Sequence, residues 1–156
     1  MAPASLTHGL LQAELAYLLL RHLRAAGSEC RVVVAPGVIP RVESQHNERV
    51  PDLAVTCSMQ PDGRTIADPV LLIEIISPSN EADTRRNVWA YTTIPSVFEI
   101  LLLSSTSMVG ELLRRDTSGA WPIAPVPLIE SSLVRLDSIG FVASMGDFYA
   151  ATRLAG

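Results

Sequence analysis

The chain has 156 residues, of which 48% are hydrophobic and 18% are charged, and its formal charge at pH 7 is −4. This length and composition predict one globular domain over residues 1–156 and exclude an intrinsically disordered chain. The negative charge gives no general attraction to nucleic acid, and no apolar run reaches the roughly 20 residues of a membrane-spanning helix. The high apolar content favours a homodimer.

Two residue types limit the chemistry and the compartment. All twelve basic residues are Arg, so any mechanism that requires a lysine is excluded for this chain. Cys30 and Cys57 show neither a Cys-x-x-Cys motif nor metal-ligand spacing, and we expect both to be buried free thiols in a reducing compartment. Since the first five residues lack the basic region of a secretory signal, we expect a cytoplasmic protein.

The first half of the chain predicts one helix followed by strands. Leucines recur at intervals of three to four residues over 7–26, with Thr7 as the expected N-cap and Gly27 as the expected C′ residue. His8, Gln12 and Glu14 lie near the start of this helix, which would allow them to face a polar cleft, but we expect each to be a solvated or capping residue. We expect His46 to lie in a polar surface loop. β-branched runs and turn residues then predict strands over 30–35, 38–42, 50–56 and 70–76, the first two joined as a hairpin.

The strand at 70–76 is apolar along its whole length except for one acid, which is typical of a central strand covered on both faces. A helix is expected to follow to about residue 93, facing the sheet through Ala82, Arg85 or Arg86, Trp89 and Ala90. Alternation over 108–115 indicates an exposed edge strand, which we expect to form the dimer surface. Further strands are expected over 97–103, 133–136 and 140–142, an irregular or edge segment over 121–128, and a terminal helix over 144–153. This order predicts an α/β (α+β) fold with a mixed β-sheet flanked by helices.

Each of two consecutive predicted strands contains one carboxylate within its apolar run, Asp52 in the first and Glu74 in the second. An ionised side chain in a buried strand is costly unless a partner compensates it. A divalent cation held by oxygen ligands would serve both acids at once. The alternative is that Asp52 is a turn residue after Pro51 and that Glu74 pairs with a nearby arginine.

Four segments together resemble one protein family. They are Val-Pro-Asp at 50–52, Ile-Glu-Ile-Ile-Ser-Pro-Ser at 73–79, the helix from Asp83 to Trp-Ala-Tyr at 89–91, and Ile-Pro-Ser at 94–96. In this order they resemble the Uma2 family, which belongs to the PD-(D/E)XK nuclease superfamily. The resemblance implies the restriction-endonuclease-like fold and an endonuclease that hydrolyses phosphodiester bonds of DNA.

The resemblance also implies roles for individual residues. Asp52 and Glu74 would be the acidic ligands of Mg²⁺ or Mn²⁺, and the carbonyl of Ile75 would contribute a third oxygen. The superfamily lysine would stand at Ile76 or, as is usual in this family, on the following helix at Asn87. Both positions lack it.

The missing lysine is the main departure from the family pattern. Arg85 or Arg86 would stabilise phosphate charge, but arginine does not lose its proton and so cannot act as a base. Asn87 would orient a water molecule, and the metal would generate hydroxide largely unaided.

Three hypotheses follow. The first is a metal-dependent endonuclease, and the second is a catalytically degenerate relative that binds metal or nucleic acid without cutting. The third is a structural dimer in which Asp52 and Glu74 are ion-paired to Arg49, Arg85 or Arg86.

Overall fold

The computed structural model describes residues 4–42, 47–58 and 62–156, so the predicted loop residue His46 lies outside the described residues. Within them the elements are α1 (Leu6–Ala25), β1 (Arg31–Val34), β2 (Leu53–Thr56), β3 (Pro69–Ile76), α2 (Glu81–Tyr91), β4 (Glu99–Ser104), β5 (Gly110–Arg114), β6 (Val126–Leu128), β7 (Leu133–Leu136), β8 (Phe141–Ser144) and α3 (Met145–Tyr149), with a final 3₁₀ turn at Arg153–Ala155. No helix in this part of the chain has the length and apolar character needed to cross a membrane.

A six-stranded sheet organises the molecule, with the strands side by side in the order β1-β2-β3-β4-β5-β6. Neighbouring strands are antiparallel except β3 and β4, which are parallel and connected through α2. Strand β3 lies in the interior of the sheet and is buried over most of its length, as its continuous apolar run predicted. The predicted mixed sheet flanked by helices is therefore confirmed.

The two faces of the sheet are covered by different helices. Leu71, Ile73 and Ile75 of β3 pack in one core cluster with α1, α3 and the β7–β8 hairpin. Leu72 packs in a second cluster beneath α2. Because side chains alternate along a strand, Glu74 shares the α2 face with Leu72. An acid thus occupies a position where the strand pattern calls for an apolar side chain.

Both long helices differ in detail from the prediction. Helix α1 is capped by Ser5, whose Oγ accepts a hydrogen bond from the N–H of His8, so the expected cap at Thr7 was wrong. Helix α2 buries Thr84, Val88 and Tyr91, which recur at intervals of four and three residues and form one stripe. Trp89, which was expected to face the sheet, is 64% exposed.

The predicted hairpin between 30–35 and 38–42 was wrong. Strand β1 pairs with β2 instead, and Val38 forms only an isolated bridge with Arg49. The β1–β2 register pairs Arg31 with Thr56, so the next position along the ladder places Cys30 opposite Cys57. Their sulfur atoms are bonded, which corrects the expectation of two free buried thiols. Cys57 is exposed and Cys30 is half-buried.

Strand β5 is an interior strand, flanked by β4 and β6, rather than the exposed edge that its alternation suggested. Its polar side chains are explained by partners inside the fold, because Glu111 pairs with Arg85 and Arg114 pairs with Glu99. The described sheet ends at β1 and β6, so the expectation that 108–115 is an edge strand was wrong, and with it goes the reason for placing the dimer surface there.

Candidate functional site

The structure brings Asp52 and Glu74 together. Leu53 pairs with Ile73 in the antiparallel β2–β3 ladder, so the preceding residue, Asp52, lies opposite Glu74. Asp52 lies just before β2 begins, and its Oδ2 accepts a hydrogen bond of 2.7 Å from the N–H of Ile75. That bond fixes the carboxylate beside the interior strand of the sheet.

The start of α1 supplies the other partners of Asp52. Nε2 of His8 lies 3.0 Å from Oδ1 of Asp52, and the side-chain amide of Gln12 donates to the main-chain carbonyl of Asp52 at 2.9 Å. The hydrogen bond and the negative charge of Asp52 raise the pKa of His8, against the opposing effect of burial. Nδ1 of His8 is buried and has no hydrogen-bond partner in the described part of the chain.

His8 was expected to be a solvated or capping residue, and that expectation was wrong because its side chain is only 14% exposed and contacts Asp52. The sequence did contain a signal. His8 precedes Leu11 and Leu15 by three and seven residues, so it continues the buried stripe of α1 by one turn. A polar residue on the buried stripe at a helix start is a stronger site candidate than one on the exposed face.

Glu74 is 5% exposed, and its Oε1 accepts a hydrogen bond of 2.7 Å from the hydroxyl of Tyr91 on α2. Burial, reinforced by the negative charge of Asp52, raises the pKa of Glu74 to about 8, although the Tyr91 bond acts in the opposite direction. Tyr91 is fully buried, and burial together with the charge of Glu74 raises the pKa of its phenol. Glu74 is therefore mostly protonated at neutral pH when no cation is bound.

The end of β3 is held by the turn that follows it. Oδ1 of Asn80 accepts from the N–H of Ser77 at 2.8 Å, and the Asn80 amide nitrogen lies 3.4 Å from the carbonyl oxygen of Ile75. The second contact is long for a hydrogen bond, so this carbonyl keeps acceptor capacity on the side where the two acids lie.

Arg85 and Arg86 are engaged away from the two acids. Arg85 makes two contacts to the carboxylate of Glu111, one of them 3.2 Å between Nη2 and Oε1, and a third to Glu81. Arg86 pairs with Asp83 on the exposed surface of α2. The side chain of Asn87, at the position where the family carries lysine, is half-buried and makes no hydrogen bond within the described residues.

The alternative in which Asp52 and Glu74 are paired to arginines does not hold. In the part of the chain that the structure describes, the ion-pair partner of Asp52 is His8, and Glu74 has none. The carboxylate of Asp52 also makes a tertiary contact to β3, which a simple turn residue after Pro51 would not need.

The donor atoms at this place suit a hard divalent cation. The described residues contain no group of three or more His, Cys, Asp or Glu side chains arranged to hold a metal ion. The available donors are the two carboxylates and the Ile75 carbonyl, all of them oxygen atoms. Mg²⁺ is typically bound through one or two carboxylates and keeps several waters, so this set fits Mg²⁺ or Mn²⁺ better than zinc.

Comparisons with known proteins give a family match, a relative in sequence and a relative in structure. A family model described as "Uma2: Putative restriction endonuclease" matches residues 1–145. A protein of Synechocystis sp. (strain ATCC 27184 / PCC 6803 / Kazusa), described as "Uncharacterized protein slr1290", is 31% identical over 152 residues, covering 96% of this chain and 77% of that protein.

Among solved structures, the fold resembles "a putative nuclease belonging to DUF820" from Anabaena variabilis ATCC 29413, with a TM-score of 0.75 and 16% sequence identity. The match covers 96% of this chain and 83% of that chain. At this level of identity, the likeness establishes a shared fold.

Proposed function

We propose that this chain, which belongs to the Uma2 family of putative restriction endonucleases, is an endonuclease that hydrolyses phosphodiester bonds of DNA and depends on Mg²⁺ or Mn²⁺. The observation that supports this most strongly is the pairing of Asp52 and Glu74 across β2 and β3, with Asp52 tied to the N–H of Ile75. A buried acid held beside a second acid is costly to the fold, and acids with raised pKa values in such pairs are characteristic of functional sites.

In this proposal Asp52, Glu74 and the carbonyl of Ile75 would hold the cation. When bound, it would supply positive charge for the scissile phosphate and lower the pKa of a coordinated water. His8 orients the Asp52 carboxylate, and Tyr91 orients the Glu74 carboxyl through its hydroxyl. Such hydrogen bonds from outer residues restrict the rotamers of the ligating side chains.

The missing lysine leaves Asn87 as the polar group on α2 at the corresponding position. Its amide can orient a water molecule by accepting or donating a hydrogen bond, but it adds no charge. Arg85 and Arg86 would have to leave Glu111 and Asp83 before they could contact a phosphate. We therefore expect cleavage to be slow compared with that of relatives that have the lysine.

The test combines metal binding with cleavage. Mn²⁺ would be titrated by calorimetry into the wild type, Glu74→Gln and Asp52→Asn, and the same samples would be incubated with supercoiled plasmid. Glu130→Gln is the matched control, because Glu130 is an exposed acid on the loop between β6 and β7. We expect the wild type and the control to bind Mn²⁺ and nick the plasmid, and the two site variants to do neither.

A second candidate function is a nuclease-fold protein that binds metal or nucleic acid without cutting. The absence of lysine at both Ile76 and Asn87 favours it. Mn²⁺ binding that depends on Glu74, without nicking, would support this candidate. Failure of the wild type to bind millimolar Mn²⁺ would refute the metal-dependent mechanism.

We also propose that the protein forms a homodimer. Leu6, Leu10 and Tyr17 of α1 lie at intervals of four and seven residues and are 87%, 41% and 56% exposed. Light scattering tests this, since a dimer has twice the 16.8 kDa mass of one chain. A mass of one chain at micromolar concentration would contradict it.

A further inference from the structure

A cavity of about 450 Å³ lies between α2 and the chain at Val42, Asn47 and Arg49. The described part of its lining includes Asn47, Arg49, Trp89 and Ala90. Ala90 directly precedes Tyr91, whose hydroxyl contacts Glu74. The cavity and the proposed metal site thus share helix α2, and the volume of the cavity lies within the range of small-molecule binding pockets.

Arg49 lines this cavity and has no counter-charge among the residues that the structure describes. Its main chain is fixed by two hydrogen bonds to Val38, both 2.8 Å long. Its guanidinium has no hydrogen-bond or ion-pair partner among the described residues, and its Nε is buried. A partly buried guanidinium without an acceptor is costly, and its planar donor geometry matches phosphate oxygens.

The other two guanidinium groups in the lining differ from Arg49 in this respect. Arg85 has a counter-charge in Glu111 and the exposed Arg86 has one in Asp83, whereas Arg49 has none among the described residues. The positive charge of Arg49 also acts on Tyr91, where it opposes the rise in the phenol pKa, which places Arg49 close to the proposed site.

Trp89 gives the same cavity an aromatic surface. Its side chain is 64% exposed, and its indole makes no hydrogen bond within the described residues. A single exposed aromatic residue is ordinary on a protein surface. An exposed indole that shares a cavity with an unpaired guanidinium is the combination that binds unpaired nucleotides, since a base stacks on the ring while the cation contacts the strand.

We propose that this cavity binds one unpaired nucleotide of the substrate strand, with its base stacked on Trp89 and a phosphate against Arg49. The proposal deepens the proposed nuclease function and rests on it, because the nucleotide would flank the scissile phosphate held near Glu74. A base in a duplex has no free face to stack on the indole, so the substrate class is single-stranded or locally unpaired nucleic acid.

The test measures binding without cleavage. A dye-labelled oligothymidylate of about 12 nucleotides and a duplex of the same length would be titrated by fluorescence anisotropy, in EDTA and separately in Ca²⁺. The variants are Trp89→Ala, Trp89→Phe and Arg49→Gln. Arg24→Gln is the matched control, since Arg24 is an exposed arginine in the last turn of α1, remote from the cavity in the fold.

We expect the wild type to bind the single strand more tightly than the duplex. Trp89→Ala should weaken single-strand binding about tenfold, while Trp89→Phe should stay within about threefold of the wild type because it keeps an aromatic face. Arg49→Gln should also weaken binding about tenfold and reduce the slope of log affinity against log salt by about 0.7, the value for one phosphate contact on a single strand. Arg24→Gln should bind like the wild type.

Equal binding by the wild type, Trp89→Ala and Arg49→Gln would overturn the proposal, as would no binding by the wild type in either buffer. Thermal denaturation of each variant separates loss of the contact from loss of the fold. Because the titration needs no cleavage, the two proposals fail separately. Single-strand binding that depends on Trp89, without plasmid nicking, would support the nucleotide-binding cavity and refute the nuclease proposal. Plasmid nicking that is unaffected by Trp89→Ala and Arg49→Gln would support the nuclease proposal and refute the nucleotide-binding cavity.

Discussion

Replacing Glu74 by Gln should remove most of the dependence of the free energy of unfolding on pH between about pH 6 and about pH 8. Burial and the charge of Asp52 raise the pKa of Glu74 to about 8, from an ordinary value of 4.5. Between these two values the folded protein holds a proton that the unfolded chain has released. The stabilisation contributed by Glu74 is therefore complete below its unfolded pKa of 4.5, and it is lost as the pH rises through its folded pKa of about 8.

The expected size follows from the two pKa values. Between about pH 6 and about pH 8, one carboxyl group with these pKa values lowers the free energy of unfolding by about 2 kcal/mol. His8 acts in the same direction, because Asp52 raises its pKa and its charged form is lost as the pH rises. The amide of the Glu74→Gln variant keeps an acceptor for Tyr91 and does not titrate, so the slope that remains in the variant is mainly that of His8.

The assay is equilibrium unfolding in urea, followed by tryptophan fluorescence in EDTA at several pH values over this interval. Glu130→Gln serves as the control and should keep the wild-type slope, because Glu130 is exposed. Equal slopes in the wild type and in Glu74→Gln would refute the assignment of a buried neutral carboxyl at position 74. A wild-type protein whose stability increases from pH 6 to pH 8 would refute it as well.

Three further changes test the site and the fold. Asn87→Lys should raise the plasmid nicking rate about tenfold or more in Mn²⁺, because it restores a cation that can orient water and phosphate; an unchanged rate would contradict the assignment of this position. Arg114→Ala should destabilise the protein by roughly 3 kcal/mol in urea, since it leaves the fully buried Glu99 carboxylate without its counter-charge; a loss below the error of the measurement would contradict it. Cys30→Ser should cost roughly 3 kcal/mol by opening a link to Cys57 that spans 27 residues, and reducing agent should then have no further effect on the variant.

Local patterns were sufficient for the central features of the fold. The run at 70–76 is apolar almost throughout, and only a strand covered on both faces needs that composition, so the interior position of β3 was predictable. The same pattern identified Glu74 as the one acid in this apolar run, and Asp52 as the corresponding acid of the preceding predicted strand. A residue that breaks the rule of its own element is a site candidate on sequence grounds alone.

Contacts between distant segments were not predictable in this way. Strand β1 pairs with β2 rather than with 38–42, and the local sequence of β1 does not specify which partner it takes. The disulfide could be predicted only once the β1–β2 register was known. Tyr91 was also missed as a partner of Glu74, because the face of α2 that meets the sheet was assigned to Trp89 instead. Composition alone does not decide between two aromatic residues two positions apart.

A second buried glutamate gives a comparison that supports the proposed role of Glu74. Glu99 on β4 is 0% exposed, and its carboxylate is held by Arg114 and by the main-chain N–H groups of Asp137 and Ser138. Those partners compensate the charge, as a structural acid requires. Glu74, on the adjacent strand, receives one hydroxyl group and faces a second acid, and its pKa rises accordingly. The same sheet thus compensates one buried carboxylate fully and gives the other no counter-charge among the described residues, and a bound cation is the compensation that the proposed function supplies.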